Sequence, residues 1–160
     1  MTVMVGAFFV AALLAVPLFR LFGRSAFFIL AAVPAAGLAL SLQRLPAFLA
    51  GGGDWIESYS WLPALNLEVV FLMDPLSWLL SLLVTGVGAL VLVYCARYFA
   101  DDEPRLARFA GVLMAFAGMM YGLVLADEML LLFIFWEGTT VFSYLLIGQY
   151  TSRQQSRRAA

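Results

Sequence analysis

Five long apolar runs, separated by short polar connections, limit what this chain can fold into more than any other feature. They are Val3–Phe19, Ser25–Leu42, Asp74–Ala96, Leu106–Ala126 and Met129–Gln149. A helix needs about 20 mostly apolar residues to cross the hydrocarbon core of a bilayer, and each run is close to that length. Arg44 and Pro46 argue against extending the second run to Leu49. Pro17 and Pro34 lie inside the first two runs, which a membrane helix tolerates where neighbours satisfy the freed carbonyls. The chain is 64% hydrophobic and only 12% charged, against about 25% charged in a soluble domain. A water-soluble fold of this size could not hide so much apolar surface. The expected class is an all-α polytopic membrane protein with five transmembrane helices. The first run has no basic residue ahead of it, and Arg20 comes only after it. It reads as a retained helix and not as a cleaved signal.

The loops give an orientation. Arg20 and Arg24 separate helices one and two, Arg97, Arg105 and Arg108 flank the connection between three and four, and Arg153, Arg157 and Arg158 follow helix five. The opposite loops carry Asp54, Glu57, Glu68, Asp127 and Glu128 against one basic residue, Arg44. All the arginine clusters thus fall on one side, which places the N-terminus outside and the C-terminus in the cytoplasm. The chain divides into 1–42 (helices one and two), 43–73 (an outer loop), 74–150 (helices three to five) and 151–160 (a basic cytoplasmic connection).

The outer loop has its own pattern. Gly51, Gly52 and Gly53 break the chain, and Trp55, Glu57, Tyr59 and Trp61 then occupy alternate positions. Pro63 to Asn66 reads as a turn and Leu67 to Leu72 as a second extended run. Alternation around a turn of this kind predicts a short extracellular β-hairpin between helices two and three. Its Trp and Tyr rings suit the membrane–water interface, and an irregular loop with aromatic anchors is the alternative. Within the helices, Ala107, Gly111, Ala115, Gly118, Gly122 and Ala126 make one small-residue stripe, and Ser77, Ser81, Thr85 and Ala89 another. Such stripes let backbones approach closely.

Several chemistries have no residues to support them. There is no His and no Lys, and Cys95 is the single cysteine, so no intrachain disulfide, metal site or haem attachment is expected. No cofactor is expected either. Net charge is −1, which gives nucleic acid no electrostatic foothold. Most of the acidic residues need only a structural account. Asp54, Glu57, Asp101, Asp102 and Glu103 read as solvated loop charges, Asp127 and Glu128 as a turn favouring the start of helix five, and Asp74-Pro75 as an N-cap with a first-turn proline.

Glu137 is different. It lies near the middle of helix five, among Leu, Ile, Phe and small residues, about 12 Å or more from either end. A glutamate cannot snorkel that far, and a charge there costs at least roughly 2.5–3.5 kcal/mol. Hydrocarbon favours the neutral carboxyl unless a cation or hydrogen bonds hold the charge, so Glu137 suits a proton carrier. Thr140 and Tyr144 share its helical face, and Ser143 with Thr139 forms an adjoining polar edge that could bond the carboxyl or order water. A permanently protonated glutamate, or one in a static interhelical pair, is the structural alternative. No membrane-embedded basic partner exists in the chain, so a partner must come from another polypeptide or another part of a longer one.

Three stretches carry a family resemblance. Phe71-Leu72-Met73-Asp74-Pro75-Leu76-Ser77 resembles the lead-in to the third helix of antiporter-like subunits in Mrp multisubunit sodium/proton antiporters and respiratory complex I. Leu125 to Leu132, Phe135-Trp136-Glu137-Gly138 and Ser143-Tyr144-Leu145-Leu146-Ile147-Gly148 resemble the fifth helix of the same family. Ser156-Arg157-Arg158-Ala159-Ala160 is similar to the run before the sixth helix of the large Mrp A subunit. The resemblance covers roughly Trp61 to Ala160; helices one and two match in layout only. It implies a bacterial plasma-membrane subunit that exchanges Na+ for H+ beside other hydrophobic subunits. It also implies a proton-translocating glutamate at the position of Glu137, partnered by a lysine on a seventh helix that these residues do not reach. Family members are several times longer, so the resemblance implies an N-terminal portion. Gly138 is closer to the large complex I subunit, whereas Thr139 to Ser143 and the tail favour Mrp. The alternatives are a proton-pumping subunit of a complex I-type enzyme and a non-transporting membrane scaffold. A lipid-acting enzyme is remote, with no nucleophile–base pair or metal ligand set visible.

Overall fold

A computed structural model describes residues 1–50, 54–62, 67–99 and 105–148. The glycine break at 51–53, the turn at 63–66, the charges Asp101, Asp102 and Glu103, and the basic tail with Arg153, Arg157 and Arg158 lie outside these residues. The elements are α1 (Thr2–Phe22), a 3-10 turn (Gly23–Ser25), α2 (Ala26–Gln43), α3 (Leu45–Leu49), β1 (Trp55–Leu62), β2 (Leu67–Met73), α4 (Pro75–Tyr98), α5 (Leu106–Leu125) and α6 (Met129–Ile147). Four helical stretches are long and apolar enough to cross a membrane: Thr2–Leu49, Pro75–Tyr98, Leu106–Leu125 and Met129–Ile147. The 3-10 turn interrupts the first of them, and α2 doubles back along α1, so Met4 near the start of α1 meets Gly37 in the second half of α2. Arg44 and Pro46 do end α2, and Pro46 sits in the first turn of the five-residue α3.

Close backbone approach organises the bundle. Helices α1, α2, α4 and α5 form a ring, each touching the next, and α6 leans on α5 from outside. At the α2–α4 seam a Cβ on Gly37 would lie 3.0 Å from Thr85 Cγ2. Ser81 and Thr85 are fully buried there, with the Thr85 hydroxyl donating to the Ser81 carbonyl at 2.6 Å. The Trp78 indole N–H donates to the Ser41 carbonyl at 2.7 Å and fixes the same seam near its end. The stripe on α5 serves two neighbours. Gly111 and Gly118 face α1, where a Cβ on Gly118 would come within 2.8 Å of Phe8 Cβ, while Gly122 receives the Phe135 ring of α6. Cys95 is buried in α4 as a packing residue.

The hairpin forms as the alternation predicts. Strands β1 and β2 pair antiparallel, with Trp55 opposite Met73, Glu57 opposite Phe71 and Tyr59 opposite Val69, and with an irregularity between Ser60 and Leu62. Phe71 and Met73 are buried under the bundle end. The Asp127 N–H donates to the Val70 carbonyl at 3.1 Å, and Phe71 bridges to Ala126, so the turn between α5 and α6 is bound to β2. Arg44 stacks its guanidinium 4.0 Å over the Trp55 ring, a cation–π contact.

Both anticipated helix starts are capped. Asp74 accepts the Ser77 N–H at 2.7 Å ahead of Pro75, and Glu128 accepts the Leu131 N–H at 2.9 Å. The reading of Glu57 as a solvated loop charge is corrected. Its carboxylate accepts the Met1 ammonium at 2.7 Å, the Thr2 N–H at 3.0 Å and the Thr2 hydroxyl at 3.1 Å. It therefore caps α1 from the hairpin, supplying acceptors to the unsatisfied donors of a helix start.

Candidate functional site

Glu137 stands two turns into α6, close to its middle. The helix forms here because Met129–Ile147 is almost wholly apolar and begins at the Glu128 cap. Its packed side is set by Phe135, which is 7% exposed and lies against Gly122 and 6.1 Å from the Phe71 ring. Gly138 abuts Met119 on the same side. Successive residues turn by about 100°, so Glu137 points away from α5 and is exposed on this chain. The carboxyl is central along the helix, and no other part of the described chain covers it. Ile134, Val141 and Tyr144 are also exposed, so Glu137 belongs to an outward strip that is otherwise apolar or aromatic.

The hydroxyl neighbours lie close by but turn elsewhere. Thr139 donates to the Trp136 carbonyl at 2.7 Å and Thr140 to the same carbonyl at 3.3 Å. Tyr144 is seven residues on, about 10 Å along the axis. Among the described residues, Glu137 has no hydrogen-bond or ion-pair partner. Trp136, Thr139, Thr140, Ser143 and Tyr144 instead border a groove of about 560 Å³ between α6 and α5, closed on the α5 side by Phe116, Met120 and Leu123. The hydroxyls thus face the groove, whereas Glu137 is not part of its lining and faces whatever covers the outer side of α6. Among the described residues, no group of three or more His, Cys, Asp or Glu is placed to hold a metal.

Known proteins resemble this chain in sequence and in fold. Residues 59–110 match the family model described as NADH-ubiquinone oxidoreductase (complex I), chain 5 N-terminus. The A/B subunit of a probable K(+)/H(+) antiporter from Rhizobium meliloti is 38% identical over 113 residues, 71% of this chain and 11% of the relative. The A subunit of the Na(+)/H(+) antiporter of Alkalihalophilus pseudofirmus is 37% identical over 109 residues, 68% of this chain and 14% of the relative. The solved structure of the Mrp complex from Dietzia sp. superposes with a TM-score of 0.79 at 33% identity, covering 98% of this chain and 17% of the matched one. This chain is homologous to Mrp-type antiporter A subunits. With four apolar stretches and Mrp relatives, it is a multi-pass plasma-membrane protein. It spans about a tenth to a sixth of the length of the relatives it matches. The 59–110 match contains the lead-in stretch Phe71 to Ser77 and ends before Glu137.

Sequence reasoning missed Glu57 as a structural anchor. A signal was present: period-2 alternation puts Glu57 on the same strand face as Trp55, and a Trp turned toward the bundle carries Glu57 with it.

Proposed function

We propose that this chain works within a multisubunit sodium/proton antiporter of the Mrp type, with Glu137 a membrane-embedded carrier in the proton path. The observation that carries this reading is the position of Glu137. Among the described residues it is the one acidic or basic side chain farther than one turn from the end of a membrane-length helix. It also faces out of the chain, where a cation on a neighbouring segment can reach it. A proton carried on this carboxyl is handed on as a cation on the neighbouring segment approaches, which couples the proton path to the state of the adjoining site. Thr140, Ser143 and Tyr144 provide the polar surface along which water reaches the carboxyl.

In this proposal the chain crosses the membrane five times, with α1 and α2 as separate crossings and the N-terminus outside. Arg20, Arg24, Arg97, Arg105 and Arg108 gather at one end, while the hairpin and the acidic turn at Asp127 and Glu128 occupy the other, which supports that orientation. The hairpin region 43–73 then forms an outer cap over the helices of 1–42 and 74–150. Neighbouring hydrophobic subunits, Na+, H+ and lipid are the partners.

The test is antiport in everted vesicles carrying the complete complex, with Glu137→Gln and a native gel for assembly. Antiport is expected to vanish while the complex remains assembled. Persisting antiport overturns the role of Glu137. Loss of the complex itself moves the scaffold reading ahead. The complex I-type reading is favoured by the family model matched at 59–110; co-purification of quinone-reactive and iron–sulfur subunits would select it.

A further inference from the structure

We infer that the arginine-rich end of the bundle holds a binding site for the phosphate of an anionic phospholipid. Arg20 in the last turn of α1, Arg24 in the 3-10 turn and Arg105 just ahead of α5 line a single recess of about 290 Å³. Guanidinium is the side chain best matched to a phosphate, which it grips through two parallel N–H donors. Arg24 and Arg105 also engage other groups, and five N–H donors per guanidinium allow each a second ligand. Gly23 opens the floor: a Cβ there would meet nothing within 4 Å.

The rest of the recess selects a lipid over a free anion. Val16 and Phe19 of α1 form part of its wall, with Leu106 and Ala107 of α5 opposite. Val16 lies one turn before Arg20, about 6 Å deeper along α1, and is 44% exposed. The cavity thus runs from charged to apolar in the direction from headgroup to acyl chain. Arg20 lies in the last turn of α1, Arg24 in the 3-10 turn after it and Arg105 just ahead of α5. With α1, α2 and α5 each crossing the membrane, as proposed above, all three come at headgroup level, where each basic residue adds to the attraction for anionic lipid.

The experiment is native mass spectrometry of the purified complete complex in detergent, titrated with phosphatidylglycerol, with phosphatidylcholine of the same chains, and with phosphatidylglycerol plus millimolar inorganic phosphate. Phosphatidylglycerol is expected to be retained, phosphatidylcholine more weakly, and inorganic phosphate should not displace it. Arg20→Gln and Arg24→Gln should each weaken retention about fivefold, and together about 25-fold. Arg97→Gln, at the same end but outside the recess, should leave it unchanged. Equal retention by the double variant overturns the site, as does equal loss in Arg97→Gln, which would mean diffuse attraction. Displacement by inorganic phosphate makes it a free-anion site, and equal retention of phosphatidylcholine removes the role of headgroup charge. If the double variant does not assemble, Arg20→Lys decides: it keeps the charge, and binding unchanged from wild type would rule out the guanidinium grip. The readout is lipid retention, so it stands whether or not Glu137 carries protons.

Discussion

Replacing Gly118 with alanine tests whether the α1–α5 contact is as tight as the geometry makes it. The added Cβ would lie 2.8 Å from Phe8 Cβ, whereas carbon atoms settle at about 3.5–4.0 Å. The two helices must therefore part locally by roughly 0.7–1.2 Å. Phe8 cannot yield, because it is fully buried with its ring 5.6 Å from that of Tyr121. Overpacking of this kind costs about 1–3 kcal/mol. Alanine also gains about 1 kcal/mol in helix preference over glycine, which offsets part of the cost. Gly6→Ala isolates that gain, since a Cβ on Gly6 meets nothing within 4 Å. The two variants should differ by about 1–3 kcal/mol, with Gly118→Ala the less stable. The assay is the midpoint for loss of the monodisperse size-exclusion peak of the purified complex after heating. Equal midpoints for Gly118→Ala and Gly6→Ala would refute the close approach.

Two further predictions concern the hairpin end. Burial of the Glu57 carboxyl pushes it upward, but the Met1 ammonium, the Thr2 N–H and the Thr2 hydroxyl outweigh this and hold it below its ordinary value of 4.5. A carboxylate held low stabilises the fold above its unfolded value, and that contribution fades as pH falls through the folded value. Wild type should therefore lose thermal stability on acidification below about 4.5, and Glu57→Gln should be flatter in that window and about 1.5–3 kcal/mol less stable at neutral pH. Asp74, held below 3.8 chiefly by the Ser77 N–H, should cost about 1 kcal/mol on change to alanine and much less to asparagine; equal midpoints for the two variants would remove its capping role.

Much of this architecture was legible because its signals are local. Apolar run length sets the helices, alternation around Pro63 to Asn66 sets the hairpin, and Asp74-Pro75 marks a helix start, all within a few neighbouring residues. What escaped depends on distant parts of the chain. Glu57 meets residues more than fifty positions away, so its own neighbourhood reads as an ordinary loop. The α5 stripe announced contact surfaces, but period alone could not divide it between α1 at Gly118 and α6 at Gly122. The depth of Glu137 follows from counting residues along α6. The direction it faces depends on Phe135 and Gly138 finding their partners on α5 and β2, which no single helix records.

Phe135 is the one buried residue of α6, and together with Gly138 against Met119 it ties that helix to the rest of the chain close to its middle. Glu137 lies between these two contacts, about 3 Å along the axis from Phe135, whereas Ile147 lies about 18 Å away. A tilt of about 10° about Phe135 would therefore move Glu137 by roughly 0.5 Å and Ile147 by roughly 3 Å, so the carboxyl occupies the best-fixed stretch of the helix. Because Phe135 rests on Phe71, the hairpin shares in fixing that stretch.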